Sequence, residues 1–122
     1  MHWLSVALGG AIGALCRYGL SLYLPVSVHK FPYATMTVNV LGSFAVGILY
    51  VVILERAQLP AETRHLLMVG FLGAFTTFST FSLDALSLWQ NGDQMMALVY
   101  VLLTVTLCLL AVTGAVWLTR LF

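Results

Sequence analysis

The sequence predicts an all-α integral membrane protein with four transmembrane helices, and three observations predict it. Hydrophobic residues are 61% of the 122 and charged residues only 7%, with a mean hydropathy of +1.03. An average soluble domain is about 25% charged. A chain this short exposes much of its surface, and five basic plus four acidic side chains cannot cover it in water. Four apolar stretches also follow one another, each near the length of about 20 residues that a membrane helix needs. Aromatic Trp3, Tyr23, Tyr33, Trp89 and Trp117 lie near the ends of these stretches, as an interfacial belt requires. These observations exclude a soluble enzyme, a nucleic-acid binder and a disordered linker. The net charge of +1 leaves no basic patch for nucleic acid.

The first span runs from Trp3 to Leu24, and Pro25, His29, Lys30 and Pro32 mark a short connection. The second runs from Tyr33 to Leu54. Glu55 to His65 holds Pro60 and five ionisable residues and reads as a wet loop. The third runs from Leu66 to Trp89 and is closed by Gln90-Asn91-Gly92-Asp93. The fourth runs from Met95 to Leu118, with Arg120 at its end. The loops are too short for a second domain, so residues 1–122 read as one four-helix unit. Both termini lie on one side. That side carries Arg56, Arg64 and Arg120; the other carries Lys30, plus Arg17 if it lies near that end. So small a difference hardly decides the orientation. Cys16 and Cys108 each sit in an apolar run, without zinc or redox spacing, and read as buried free thiols.

Polar groups inside the spans carry the functional information. Arg17 reads either as a snorkelling or structural side chain or as an ion-binding one. No Glu, Lys or His lies mid-span, which argues against a proton antiporter. Asn39, close to Thr35 and Thr37, reads either as interhelical glue or as a donor to a permeating species. The third span reads Gly70-Phe71-Leu72-Gly73-Ala74-Phe75-Thr76-Thr77-Phe78-Ser79-Thr80-Phe81-Ser82. Glycine and β-branched threonine weaken a helix, so the run predicts a third helix broken near its middle. Carbonyls freed at such a break can coordinate a cation. Phe75, Phe78 and Phe81 repeat at spacing three, and a ring edge carries partial positive charge that could face an anion. Tyr100, Thr104 and Cys108 fall on one face of the fourth span. Gly9, Gly13 and Arg17 share a face in the first span, and Ser43 and Gly47 in the second. These small-residue faces predict close helix approach and, with so few helices to enclose a path, a homo-oligomer.

At this point the chain resembles the small fluoride channels of the Fluc (CrcB) family over nearly its whole length. The resemblance rests on Gly9-Gly10-Ala11-Ile12-Gly13-Ala14 before Arg17-Tyr18, on Thr37-Val38-Asn39 before Gly42-Ser43-Phe44, and on Gly70-Phe71-Leu72-Gly73 before Thr76-Thr77-Phe78-Ser79-Thr80-Phe81. It implies an antiparallel, dual-topology homodimer in the cell membrane with two fluoride pathways, serving passive efflux and no covalent chemistry. It implies Asn39 as donor to the anion, Phe78 and Phe81 as the paired ring edges, and Ser79, Thr80, Tyr100 and Thr104 as a polar track. Backbone carbonyls of Gly73 and Thr76 are implied to hold a central sodium ion shared by two subunits. Arg17 corresponds to the first-span arginine, and with Thr37 it belongs to the vestibule. Asp84 departs from the glutamate common after the Phe-Ser motif, and Cys108 from a common hydroxyl. The physics is consistent with a pore that replaces fluoride's hydration with neutral donors, without a trapping charge. The alternative is a small dual-topology multidrug or cation exporter, but such exporters rely on a membrane glutamate that the first span lacks.

Overall fold

The computed structural model describes residues 2–24 and 31–122; Pro25, His29 and Lys30 of the predicted connection lie outside them. Every regular element among the described residues is helical. Four stretches are long and apolar enough to cross a membrane: His2–Tyr23, Tyr33–Ala57, Ala61–Gln90 and Gln94–Leu121. The first packs chiefly on the leading part of the third, and the second packs along the fourth.

The expected wet loop is mostly helix. The second span continues, π-wound, over Tyr50–Ala57, and helix resumes at Ala61. Charged side chains end an apolar run without ending a helix, because a helix protruding into water keeps its backbone bonds. Only 58–60 interrupt. Gln58 takes the left-handed conformation at φ 45°, and Pro60 precedes the next helix, where it withholds no needed donor. At this end Arg120 Nε and Nη2 donate to the Glu55 carboxylate at 2.9 and 3.1 Å, and Arg56 Nη2 donates to Thr119 O at 2.6 Å. An exposed pair like this adds little stability; it marks where the ends of the second and fourth spans meet.

The small-residue faces are consumed inside the chain, which corrects their use as evidence for an oligomer. A Cβ on Gly13 would meet the Phe71 backbone, with the carbonyl carbon 2.9 Å away. A Cβ on Gly47 would stand 2.7 Å from Val112 O and 2.8 Å from Ala115 Cβ. Glycine at these positions lets the first helix touch the third and the second touch the fourth. Cys108 is half-buried as a free thiol, but Cys16 is exposed on the outer face of the first helix. Its apolar neighbours signalled lipid rather than core.

Candidate functional site

Helix Gly73–Phe75 ends at Thr76, whose dihedrals are φ −89° and ψ 159°. Thr77 follows at φ −152° and ψ 115°, and helix resumes over Phe78–Gln90. Two adjacent β-branched residues suit extended backbone. Extended backbone at this depth must find partners for its N–H and C=O groups, since lipid offers none.

Asn39 supplies them from the second span. Its Nδ2 donates to Thr77 O at 3.0 Å, and its Oδ1 accepts from the Thr77 N–H at 2.8 Å. The glue reading of Asn39 therefore holds. The donor reading survives beside it, because an amide has two N–H bonds and only one is used here. The Thr77 hydroxyl caps the trailing helix. It accepts from the Thr80 N–H at 3.2 Å, donates to Thr80 Oγ1 at 3.1 Å and lies 3.4 Å from Ser79 Oγ.

These bonds have a consequence for two carbonyls. In an unbroken helix the Thr77 N–H would bond Gly73 O, and the Thr80 N–H would bond Thr76 O. Here the first is taken by Asn39 Oδ1 and the second by Thr77 Oγ1. Gly73 O and Thr76 O thus lose their i+4 donors, and oxygen ligands of this kind suit a hard cation. Gly73 and Thr76 both line a groove of about 450 Å3, together with Asn39, Phe78, Phe81 and Thr104. The residues present fit a cation held by backbone oxygen.

The two rings differ in setting. Phe81 is 7% exposed and Phe78 76% exposed, with centroids 5.4 Å apart and planes at 59°. Phe81 packs in turn on Tyr100, centroid to centroid 5.2 Å. Tyr100 is wholly buried, and its hydroxyl donates to Asp84 Oδ2 at 3.3 Å. The Thr104 hydroxyl is buried without a partner in the groove wall. Cys108, one turn further, lines the same groove.

A second cavity of about 300 Å3 is lined by Arg17, Tyr18, Thr35, Thr77 and Thr80, among others. The Arg17 Nε atom is buried there without a partner. Of the predicted site residues, Asn39, Gly73, Thr76, Phe78, Phe81 and Thr104 thus meet at the groove, and Arg17 and Thr80 at the second cavity. Ser79 is exposed at the start of the trailing helix, and Tyr100 sits behind Phe81. Thr37 is half-buried and lines neither cavity; Thr35 stands at the second cavity instead. Sequence reasoning missed Thr77. A Thr before an apolar helical run is an N-cap signal that could have found it. It also left Asp84 without a role.

The arrangement presents N–H and O–H donors, an aromatic pair and one arginine along two adjoining cavities. It suits the holding and passing of a small anion better than a covalent step. A family model described as CrcB-like protein, Camphor Resistance (CrcB), matches residues 4–116. A fluoride-specific ion channel FluC of Saccharophagus degradans is 57% identical over 118 residues, covering 97% of this chain and 89% of that one. A protein of the same name from Hahella chejuensis is 50% identical over 121 residues, covering 98% and 95%. One from Idiomarina loihiensis is 42% identical over 119 residues, covering 97% and 92%.

Proposed function

The chain belongs to the CrcB family, and from that premise we propose that it is a fluoride-selective ion channel. It is a multi-pass membrane protein that mediates passive fluoride efflux across the cell membrane and relieves fluoride toxicity inside the cell; it is not an enzyme. The observation that carries the reading is that Asn39, Thr104 and the ring pair of Phe78 and Phe81 meet in one largely apolar groove, which places two uncharged donors and two ring edges together without a fixed charge.

Fluoride is small and holds its water tightly, so a pore must return comparable donors without trapping the ion. The unused Asn39 N–H, the unpartnered Thr104 hydroxyl and the ring edges of Phe78 and Phe81 supply them. Ser79, Thr80 and Tyr100 extend the track. Arg17 raises anion concentration in the second cavity, which serves as the vestibule, with Thr35 rather than Thr37 in its wall.

The working unit is an antiparallel, dual-topology homodimer. The 76% exposure of Phe78 and the one-sided groove beside it support this, because a second copy would close both. The third helix acts as two half-helices, and the extended backbone at Thr76 and Thr77 supports that view. Gly73 and Thr76 carbonyls from both subunits would hold one sodium ion. Its bound charge would fix the paired half-helices in place. The direct test is fluoride release from liposomes carrying the purified chain, read by an ion-selective electrode. Release above that of empty liposomes is expected; none at any protein density would overturn the reading.

A further inference from the structure

Thr77 is the residue that lines both cavities. The two cavities adjoin at Thr77, so an anion crossing there from the Arg17 cavity to the groove of Phe78 and Phe81 would meet it. Its backbone is fixed on both sides by Asn39, at 2.8 and 3.0 Å. Its hydroxyl is the hub of a small web. It bonds the N–H and hydroxyl of Thr80 and lies within reach of the Ser79 hydroxyl, at 3.1 to 3.4 Å.

Resting on the fluoride-channel reading, we propose that Thr77 is a positioning residue at the passage between the two cavities: its hydroxyl holds those of Ser79 and Thr80 in the arrangement that the anion meets. A hydroxyl proton swings about its C–O bond, so one donor can serve two acceptors in turn. With no anion present, the Thr77 proton is engaged by Thr80 Oγ1 and its lone pairs by the Thr80 N–H and the Ser79 hydroxyl. When an anion arrives, these long internal bonds of 3.1 to 3.4 Å exchange for bonds to the ion, so the passage neither strands an unpaired hydroxyl nor adds a fixed charge. The Asn39 clamp keeps the hub from drifting while its protons turn. Asn39 therefore acts twice, once as donor to the ion and once as the support of its neighbour.

The test compares Thr77→Val, Thr77→Asn and Thr77→Ser with the unchanged chain in the same liposome assay, with thermal unfolding measured alongside. Val keeps the branched shape and loses the hydroxyl. Asn keeps a capping oxygen for the Thr80 N–H and loses the small rotating donor. Ser keeps both. The expected result is at least tenfold slower fluoride release for Val and Asn, and Ser within twofold of the unchanged chain. Should Val fail to fold, Asn carries the test, because its cap is retained. Release within twofold of the unchanged chain by either folded Val or folded Asn would overturn the proposal. So would a Ser variant as slow as Val, since its hydroxyl is present. If instead the unchanged chain releases no fluoride, it is the channel reading that falls.

Discussion

The Asn39 side chain and the Thr77 backbone hold each other in both directions, with Thr77 N–H to Oδ1 at 2.8 Å and Nδ2 to Thr77 O at 3.0 Å. This pair joins the second span to the third where the backbone leaves its helical ladder. Asn39→Asp keeps the acceptor and removes the donor. It sets a carboxylate oxygen against Thr77 O and adds a negative charge beside the groove. Fluoride release should fall nearly to background. The stranded carbonyl should also lower stability by about 1–3 kcal/mol, visible as an earlier thermal transition. Normal release by a folded Asn39→Asp protein would remove Asn39 from the pathway.

Phe78 and Phe81 should separate packing from conduction. Replacing either by Ile keeps bulk and loses the polarised ring edge. Phe81 is buried against Tyr100, so Phe81→Ile should also destabilise, by about 1–3 kcal/mol. Phe78 is largely exposed within one chain, so Phe78→Ile should leave the monomer fold intact. At least one variant should conduct fluoride more slowly. Unchanged release from both would leave the rings only a packing role.

The glycine contacts predict a sharp contrast within the first helix. Gly13→Ala drives a methyl into the Phe71 backbone, which neither helix can yield without moving. It should cost about 1–3 kcal/mol. Gly19→Ala meets nothing within 4 Å and should be neutral or slightly stabilising, by up to about 1 kcal/mol through helix propensity. Thermal unfolding of the two proteins in one detergent decides the matter. Equal transitions would contradict the close approach of the first and third helices.

The spans were readable in the sequence because lipid demands an apolar length, and nothing else in a chain of this size satisfies it. The limits of the second and third spans were not. Glu55, Arg56, Glu62 and Arg64 end the apolar stretches, but the helices carry on through all four. Gly9, Gly13 and Gly47 announced close contact, yet a small residue does not say which helix it touches. The pairing of Asn39 with Thr77 joins residues 38 apart and leaves no local trace. The Thr77 cap was local and legible, but the run of hydroxyls around it hid which one was the hub.

The carbonyls of Gly73 and Thr76 should make the channel respond to sodium. Their helical donors are taken by Asn39 and by the Thr77 hydroxyl. Replacing sodium by a bulky organic cation on both sides of the membrane should slow fluoride release or shift the protein towards monomer in size-exclusion chromatography. Returning sodium should restore it. Indifference to the cation in both measurements would rule out a bridging site there.

Dual topology can be tested through charge alone. Arg56 and Arg120 gather at one end of the bundle, where each is tied across the second and fourth spans, and Arg64 lies in the first turn of the third span, close by in sequence. Lys30 belongs to the opposite connection. A margin this small leaves insertion nearly unbiased, and an antiparallel pair needs both orientations of one chain. Such a pair also meets through an isologous surface, each patch facing its own copy. Gln58 lies in the short link 58–60, and Asn91 in the turn before the fourth helix. Two or three added lysines near Gln58 should drive nearly all chains into one orientation, and fluoride release from cells should fall. Co-expression of a chain with lysines added near Asn91 should restore it, because the two populations then insert in opposite senses. Cysteine labelling from one side of the membrane would report the orientation of each. Normal release by a chain shown to insert only one way would mean that like-oriented copies suffice, and the antiparallel arrangement would be wrong for this protein.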